Sequence, residues 1–374
     1  MKSVVLAGYA RSPFCPAMKG ELAKVRADDL AASVIRGLVD RLKVDAEAIE
    51  DLMLGCAFPE GEQGLNVARL IGFLAKLPLS VAGVTMNRFC GSSMQAIHSA
   101  AGAIQMGAGE VFICAGIESM SRVPMSGFNP MPNPDLAAAY PAAYMGMGQT
   151  AENVAKKYGI TRKEMDAFAV QSHAKAAAAQ AAGKLANEII AYKNVTVDGC
   201  IRAGTTAEKL GELKPAFDER GSVTAGTSSP LTDGAAAVLV ASEEYARAHN
   251  LPILARIKSI AVGGCAPEIM GIGPVVATQK ALKRAGLTIH DIDIIELNEA
   301  FASQSIACIR DLDINIAKVN LDGGAIALGH PLGATGARIT GKAAALLKRE
   351  KKQYALATQC IGGGQGIATI LEAV

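Results

Sequence analysis

Cys90 is the residue whose position in the sequence most favours chemistry. It lies in the segment NRFCGSSMQA, after the apolar stretch VAGVTM and before a predicted helix that opens with Gly91, Ser92 and Ser93. A cysteine at a helix N-terminus faces free backbone N–H groups and the positive end of the helix dipole, which lowers its pKa and favours the thiolate. The strand–turn–helix setting is also that of a nucleophile elbow, although no G-x-S-x-G is present. Cys90 is therefore either a reactive thiol or a buried packing cysteine.

His330 lies in a comparable setting further along the chain. It follows the apolar stretch GGAIALG and precedes a predicted helix, and Pro331 suits the first helical position. Three nearby glycines permit close approach of another element or of a ligand: Gly329, Gly333 and Gly336. Their spacing is not G-x-G-x-x-G, so a dinucleotide site is not predicted. His330 is a candidate base, and the alternative is a histidine that packs against the glycine-rich turn.

A second cysteine and two polar residues stand where predicted strands end. Cys360 ends the apolar stretch YALATQ and opens the glycine-rich turn IGGGQG, which can point backbone amides into a cavity as an oxyanion site requires. Asn298 and Glu299, in ELNEAF, follow a run of apolar residues. All three are candidate site residues, with a structural hairpin and hydrogen-bonded turn residues as the alternatives.

The pattern of the whole chain indicates a duplicated α/β unit. Short β-branched runs alternate with longer Ala-rich stretches of helical spacing, which is typical of buried strands and helices. Residues 34–57 and 277–300 have the same length without a gap, and each contains a predicted helix, a polar connection and an apolar strand. We therefore predict two halves, residues 1–250 and 251–374.

The first half carries an insertion, and the two halves are expected to meet at the site. The excess lies around residues 119–219, where a Pro-, Met- and Asn-rich stretch precedes a predicted helix. It is interpreted as a lid or binding subdomain, the alternative being an insertion away from the site. Cys90 and His330 stand at the same place in the two repeats. Because equivalent helix starts can meet at a pseudo-symmetric interface, the two side chains are expected to face each other, as a thiol and its base must.

Composition and charge exclude several classes of function. The 374 residues are 50% apolar and 19% charged, so the chain can bury a sizeable core. The chain has 37 basic and 35 acidic residues, a net charge of +2, and no long run of either sign. This balance argues against a nucleic-acid partner. No apolar run reaches the roughly 18 residues of a membrane helix, and the N-terminus leads straight into a predicted strand, so a cytoplasmic protein is expected. Eight scattered cysteines without C-x-x-C predict neither a metal site nor a disulfide scaffold.

Four separated blocks resemble the signatures of the thiolase family. They are NRFCGSSMQA, ELNEAF, GGAIALGHPLGATGAR and QCIGGGQG, in the family's order and spacing. The segments IRAGTTAEKLGELKPAFDERGSVTAG and TSSPLTDGAAA resemble the thiolase stretch between the lid and the second half. The likeness covers essentially the whole chain. It implies a duplicated five-layer α-β-α-β-α fold with an inserted lid, and an acyltransferase that cleaves or forms 3-ketoacyl-CoA with coenzyme A as co-substrate and no permanently bound cofactor.

The resemblance also implies roles for individual residues. Cys90 matches the nucleophile, His330 the base that activates it, and Cys360 the second cysteine, which acts as acid and base. Asn298 matches the residue that holds a water in one oxyanion hole, with His330 beside it. The backbone amides of Cys90 and Gly362 match the other oxyanion hole. Ser229 and Arg202 match positions that contact coenzyme A. Met147 and Phe301 match positions that line the acyl pocket.

The subclass follows from departures within one motif. Thiolases specialised for acetoacetyl-CoA carry a histidine just before the MG-x-T-A-E-N segment, whereas Gly146 stands there in AYMGMGQTAEN. Together with NEAFASQ and TAGTSSPLTDG, this resembles the degradative 3-ketoacyl-CoA thiolases of fatty acid β-oxidation. A biosynthetic acetyl-CoA C-acetyltransferase is the alternative, whereas the Cys360 block disfavours a ketoacyl synthase and the intact cysteines and His330 disfavour a non-catalytic lipid-binding relative. The resemblance implies a homodimer or homotetramer and leaves a larger β-oxidation complex open as a partner.

Overall fold

A computed structural model of the protein describes residues 2–374. The strands in this range are β1 (Val4–Arg11), β2 (Cys15–Pro16), β3 (Asp51–Cys56), β4 (Ala82–Met86), β5 (Val111–Ser119), β6 (Thr232–Ser242), β7 (Ala255–Gly264), β8 (Ile294–Leu297), β9 (Tyr354–Ile361) and β10 (Gln365–Glu372). The α-helices are α1 (Ala27–Leu42), α2 (Val67–Leu74), α3 (Ser92–Gln105), α4 (Pro134–Ala139), α5 (Met147–Tyr158), α6 (Arg162–Ala181), α7 (Ala207–Gly211), α8 (Glu243–Ala248), α9 (Gly273–Ala285), α10 (Ala302–Asp311), α11 (Ala325–Leu328) and α12 (Leu332–Glu350).

The repeat predicted from the sequence is visible in the order of local elements. In the first copy, α1 is followed by a single 3-10 turn at Ala46–Ala48 and then by β3. In the second copy, α9 is followed by a 3-10 turn at Ile289–Asp291 and then by β8. The same helix–turn–strand unit therefore occurs twice, because the apolar and polar positions recur at the same spacing.

The strands form one mixed sheet made of two similar half-sheets. Their order is β4-β3-β5-β6-β1-β7-β10-β9-β8, and β2 pairs with β6. The parallel pairs are β3 with β4, β3 with β5 and β8 with β9, and the remaining neighbours pair antiparallel. Among residues 2–374, the half-sheets join through β1 and β7, at Val5–Arg256 and Leu6–Ala255. Each half-sheet therefore keeps its own two faces.

Helices cover both outer faces and fill the space between the half-sheets. One apolar cluster joins α1 and α2 to the first half-sheet, and another joins α9 and α10 to the second. A third cluster contains α3, α12 and the inner faces of both half-sheets. This is the five-layer α-β-α-β-α arrangement, so the predicted fold class is confirmed. No helix within residues 2–374 is long and apolar enough to span a membrane.

The insertion is the connection between β5 and β6, residues 120–231, and it contains α4 to α7. The sequence placed its end near residue 219. In the structure the insertion continues past residue 219 and runs beside the start of α10 before it enters β6. There Ser228 pairs with Phe301, and the Ser229 N–H donates to the Ala300 carbonyl at 3.0 Å. An apolar cluster unites α5, α6, α10 and Cys360. The insertion therefore packs on the second half-sheet, at the end that carries Cys360. The division near residue 250 falls between α8 and β7 and stays a prediction.

Buried ion pairs bind the insertion to both halves. Arg11 on β1 forms two hydrogen bonds with Asp198, at 2.6 and 2.7 Å, and pairs with Glu188 at 2.8 Å. Lys342 on α12 binds the other oxygen of Glu188 at 3.0 Å and Asp322 at 2.7 Å. Because each buried charge has an opposite neighbour, the desolvation cost of each is offset only while the insertion stays docked.

Close contact between α12 and its neighbours depends on two glycines. A Cβ on Gly336 would lie 2.4 Å from the backbone nitrogen of Met94 on α3, and one on Gly333 would lie 2.3 Å from the carbonyl oxygen of Ile117 on β5. Backbone atoms cannot move aside as a flexible side chain can. The helix start that follows His330 therefore packs directly on the first half of the chain, which is the close approach that the glycine spacing predicts.

Two glycine-to-alanine substitutions with opposite expected effects test this packing. Gly336→Ala is expected to lower the free energy of unfolding by about 1–3 kcal/mol, because the new methyl forces α12 away from α3. Gly102→Ala, at an exposed position of α3 with nothing within 4 Å of its Cβ, is expected to raise it by about 0.5–1 kcal/mol. Denaturant unfolding measures both changes. Equal stabilisation by the two substitutions would contradict the close packing of α12.

Candidate active site

Cys90 lies in a tight turn between β4 and α3, two residues before the helix begins at Ser92. The Ser92 hydroxyl accepts from the Arg88 N–H at 2.9 Å and donates to the Phe89 carbonyl at 2.6 Å, which closes the turn. Phe89 has a φ of +43°, a conformation that costs on the order of 1–3 kcal/mol for a residue other than glycine. The predicted strand–turn–helix setting is thus confirmed, and local strain is present immediately before the thiol.

The Cys90 thiol is neutral at rest, contrary to the expectation from the sequence. Burial raises the pKa of Cys90 to about 11. The backbone N–H groups of Gly362 and of Cys90 itself face the sulfur and favour the thiolate, but they do not offset the loss of water, and the Glu118 carboxylate raises the pKa further. The prediction of a lowered pKa is therefore wrong for the resting state, because desolvation outweighs the field of the helix start.

His330 occupies the equivalent position, two residues before α12 begins at Leu332. Pro331 is the residue that precedes the helix, with a ψ of 108°, and not the first helical residue as the sequence suggested, because that ψ is extended. The His330 N–H donates to the Thr232 hydroxyl at 3.0 Å, which ties the turn to β6. Leu332 and Cys90 belong to one apolar cluster with Ala57 and Met120. The two helix starts therefore lie together at one end of the central layer.

Hydrogen bonds assign the tautomer of His330. The Thr335 hydroxyl lies 2.6 Å from Nδ1 and donates its one proton to the Pro331 carbonyl at 2.9 Å, so it accepts from Nδ1–H. Nε2 is then left unprotonated, and it lies 3.4 Å from Nδ2 of Asn298, which is a donor. Burial, with a contribution from the charge of Arg338, lowers the pKa of His330 to about 3. His330 is therefore a neutral imidazole whose Nε2 is an unprotonated acceptor, in contact with the Asn298 amide.

Cys360 and the turn after it lie beside Cys90. Cys360 is buried on β9, and burial together with the neighbouring Cys90 thiol raises its pKa well above the usual value. Gly362 follows the strand and presents its N–H to the Cys90 sulfur, while Gly363 and Gly364 complete the turn with φ values of +77° and +79°. The predicted glycine-rich hairpin is thus present, and its first amide points at the sulfur of Cys90.

The other predicted site residues lie at different depths around this centre. Met147 Sδ is 3.5 Å from the place of a Cβ on Gly362, so Met147 covers the turn. Phe301 packs edge-on against Phe217, with ring centroids 5.9 Å apart, and shares an apolar cluster with Met147 and Cys360. Ser229 is partly exposed beside Phe301. Met147 and Phe301 form one apolar wall next to Cys360, and Ser229 lies at the edge of this wall.

Arg202 is exposed and lies further out than the other candidates. Its backbone N–H donates to Nδ1 of His173 at 3.2 Å. Two residues earlier, the sulfur of Cys200 lies 3.2 Å from the place of a Cβ on Gly329, in the turn before His330. The segment that carries Arg202 is therefore anchored at the His330 turn while the Arg202 side chain points outward at the surface.

Asn298 contacts His330, whereas Glu299 holds neighbouring elements together. Asn298 is fully buried, its N–H donates to the Thr358 carbonyl at 3.0 Å, and its Oδ1 has no partner among the described residues. Glu299 accepts hydrogen bonds from Ser172 at 2.6 Å and Asn320 at 2.7 Å. The alternative of a hydrogen-bonded turn residue therefore holds for Glu299, whereas the Asn298 amide is directed at His330.

Sequence reasoning missed Glu118, at the end of β5. Its buried carboxylate accepts from the backbone N–H groups of Ala57 at 2.8 Å and Gly333 at 2.9 Å, and from Nε2 of Gln63 at 2.9 Å. It thus fastens the start of α12 to the first half of the chain. The available signal was a carboxylate that ends the apolar run VFICAGIES, the same type of signal that pointed to Asn298.

The site contains thiols, an imidazole and amides, but no metal-binding cluster. Within residues 2–374, no group of three or more His, Cys, Asp or Glu side chains is arranged to hold a metal ion. All eight cysteines are free. The arrangement can generate one thiolate by transfer of a proton to a neutral imidazole, and it can hold a developing oxyanion with backbone amides.

The chain matches known proteins over its full length. Residues 4–244 match the family model "Thiolase, N-terminal domain" and residues 251–373 match "Thiolase, C-terminal domain". It is 49% identical over 390 residues to a 3-ketoacyl-CoA thiolase of Bacillus subtilis and 48% identical over 387 residues to one of Vibrio vulnificus, with 100% of each chain covered. Human mitochondrial 3-ketoacyl-CoA thiolase superposes with a TM-score of 0.92 at 39% identity, covering 100% of this chain and 99% of that one. Its complex with CoA gives the same TM-score and identity, with 98% of that chain covered.

The neutral state of Cys90 is testable by alkylation. Above a small pH-independent part, in which His330 takes the thiol proton, the rate at which iodoacetamide modifies Cys90 is expected to rise about tenfold per pH unit. No plateau is expected below about pH 9, because burial raises the pKa of the thiol to about 11. Cys265 is the other partly exposed cysteine, so a Cys265→Ser background with peptide mapping isolates the Cys90 signal. A plateau near neutral pH would show a resting thiolate and contradict this assignment.

Proposed function

The chain belongs to the thiolase family, and from this premise we propose that it is a 3-ketoacyl-CoA thiolase, an acyltransferase that uses coenzyme A to cleave 3-ketoacyl-CoA into acetyl-CoA and a shortened acyl-CoA. The observation that carries the proposal is one group of residues: the Cys90 thiol faced by the Gly362 amide, the neutral His330 with an unprotonated Nε2, and the buried Cys360. The first half of the chain supplies Cys90 and the second half supplies the other groups.

The reaction begins with the formation of the nucleophile. The Cys90 thiol gives its proton to Nε2 of His330 as its sulfur attacks the 3-keto carbon of the substrate. The negative charge moves to the keto oxygen, where the N–H groups of Cys90 and Gly362 are the donors. Loss of one such donor typically costs about 100- to 1000-fold in rate. Because both partners are neutral before attack, the buried site holds no isolated charge at rest.

Cleavage of the bond between C2 and C3 then separates the two products. The electron pair of that bond passes to C2 and the thioester oxygen of the acetyl-CoA part, and the acyl group stays on the Cys90 sulfur. The protonated His330 and a water held by Asn298 are the proposed donors for this second oxygen. Cys360 gives its proton to C2 and releases acetyl-CoA. Its high pKa suits an acid that must keep its proton until a carbanion forms.

Coenzyme A completes the cycle as the second thiol. Cys360, now a thiolate, takes the proton of the CoA thiol, and the CoA sulfur attacks the acyl-enzyme. Cys90 leaves and recovers its proton from His330. The exposed Arg202 and the partly exposed Ser229 are the proposed contacts for coenzyme A, and Met147 and Phe301 form the proposed wall of the acyl pocket.

We assign the enzyme to the degradative direction of fatty acid β-oxidation. Gly146, just before α5, stands where the thiolases specialised for acetoacetyl-CoA carry a histidine, and a Cβ there would contact only Oε1 of Gln149, at 3.7 Å. The lack of that histidine favours a substrate longer than acetoacetyl-CoA. The full-length similarity to proteins called 3-ketoacyl-CoA thiolase supports the same choice. Acetyl-CoA C-acetyltransferase is the second candidate. A chemistry that needs two free thiols suits a reducing compartment, so we place the enzyme in the cytoplasm.

A homodimer or homotetramer is the proposed assembly. The edge strand β4 lacks a partner on one side, and several apolar side chains near it are at least 38% exposed, namely Leu65, Leu70, Phe73, Leu74, Val84 and Phe89. An uncovered strand edge beside exposed apolar residues is typical of a self-association surface. Light scattering is expected to give a multiple of 38.5 kDa, and a mass equal to one chain would contradict the assembly.

Substrate range separates the two candidate functions. Thiolysis of a 3-ketoacyl-CoA of about ten carbons is expected to proceed with a kcat/KM at least equal to that for acetoacetyl-CoA, because each buried methylene adds about 0.8 kcal/mol of binding. Cys90→Ser provides the inactive control. Activity restricted to acetoacetyl-CoA would favour the acetyltransferase, and no thiolysis of either substrate would contradict both functions.

A further inference from the structure

Arg338 and Glu296 form a second polar pair beside the pair of His330 and Asn298. Nη1 of Arg338 binds Oε2 of Glu296 at 2.9 Å. On β8, Glu296 stands two residues before Asn298, so both side chains leave the chain on the same side. On α12, Arg338 lies one turn beyond Thr335, the residue that holds His330 Nδ1. The helix and the strand are therefore joined by two adjacent contacts, one within the candidate site and one behind it.

This ion pair is buried and incompletely bonded. The side chains of Arg338 and Glu296 are 2% and 0% exposed, and among the described residues Nε and Nη2 of Arg338 and Oε1 of Glu296 have no partner. A buried pair with three unpaired polar atoms does little for stability, and apolar side chains of the same volume often stabilise a fold more. Packing therefore does not explain why two charged side chains occupy these buried positions.

The charge of Arg338 acts on His330. Among the causes of the depressed pKa of His330, burial comes first and the charge of Arg338 second. Glu296 opposes that charge when it is ionised, and burial raises the pKa of Glu296 to about 7, against the effect of Arg338 and Lys342. The net field at His330 therefore depends on both members of the pair.

We propose that Arg338 and Glu296 are positioning residues for His330. The pair fixes the spacing of α12 and β8 at which the Asn298 amide reaches Nε2, and the balance of its charges sets how readily the imidazole accepts the Cys90 proton. The inference rests on the proposed function, in which His330 is that acceptor. Neither residue needs to touch the substrate.

Other ionisable groups on the elements packed around His330 are engaged elsewhere or uncharged at rest. They are Cys90, Glu118, Asp233, Glu299, Lys342 and Cys360. Glu118 and Glu299 bind backbone and side-chain donors of the scaffold, Asp233 accepts from Ser121, and Lys342 pairs with Glu188 and Asp322. Arg338 is thus the charged neighbour through which the imidazole is tuned.

Two variants with opposite expected effects test the proposal through the pH-independent part of the alkylation rate of Cys90, in which His330 takes the thiol proton. This part is obtained from rates measured between about pH 8 and 9, where the Glu296 carboxylate is ionised. In Glu296→Gln, the charge of Arg338 is unopposed, so His330 becomes a weaker acceptor and alkylation is expected to slow at least about threefold, which corresponds to about half a pKa unit. In the double variant Arg338→Met/Glu296→Leu, both charges are gone and alkylation is expected to quicken by at least about threefold if burial alone remains. Turnover is expected to fall in both, with KM changing less than kcat.

Three control variants distinguish a change in the basicity of His330 from a general loss of packing. Arg162→Met removes a partly buried cation that pairs with Asp166 on α6, and it is expected to lower stability without changing alkylation of Cys90. Arg338→Lys keeps the charge and is expected to stay close to the parent rate. Adding His330→Ala to the double variant is expected to abolish its increase.

The outcomes distinguish this proposal from the proposed function. The positioning role would be overturned if the alkylation rate of Cys90 changed in the same direction in Glu296→Gln and in the double variant. It would also be overturned if the increase in that rate persisted after His330→Ala was added. Alkylation reports on Cys90 and His330 without any acyl-CoA. The absence of thiolysis in the parent enzyme would therefore contradict the function alone, while opposite alkylation shifts would still support the tuning of His330.

Discussion

The close crossing of α3 and α12 between the half-sheets is the constraint on which the site depends. A Cβ on Gly336 would lie 2.4 Å from the Met94 nitrogen, so the two helices approach at a distance that only glycine allows. Both helices begin at the same end of the layer. Cys90 and His330 each stand two residues before their helix, and Leu332 packs with Cys90. The Glu118 carboxylate then holds the start of α12 against the first half through the Gly333 N–H.

Burial at this junction determines the protonation states. It raises the pKa of Cys90 to about 11 and, with Arg338, lowers that of His330 to about 3. Both residues are therefore neutral before substrate arrives, and an ion pair between them is favoured only as the sulfur begins to bond to the substrate. In such a dry site, fixed amides such as that of Gly362 stabilise a new oxyanion far more than they would in water. The same burial that makes the resting thiol unreactive thus strengthens its activation.

Particular residues show what can be predicted from the sequence. Repeated spacing predicted the duplicated helix–strand unit, the two helix starts and the glycine hairpin after Cys360, because these depend on local periodicity and turn chemistry. The end of the insertion was missed, since residues 220–231 are held by the contact of Ser229 with Ala300. Glu118 and Thr335 were also missed, and the pKa of Cys90 was predicted to shift in the wrong direction. Each of these depends on neighbours far apart in the chain, and on how much water they exclude.

The most direct test of the account is the location of the covalent intermediate. The enzyme would be mixed with a 3-ketoacyl-CoA in the absence of free coenzyme A, quenched in acid, digested and mapped by mass spectrometry. The account predicts a shortened acyl group in thioester linkage to Cys90 and no acyl group on Cys360. Acylation of Cys360, or rapid formation of acetyl-CoA with no acylated peptide at all, would contradict it.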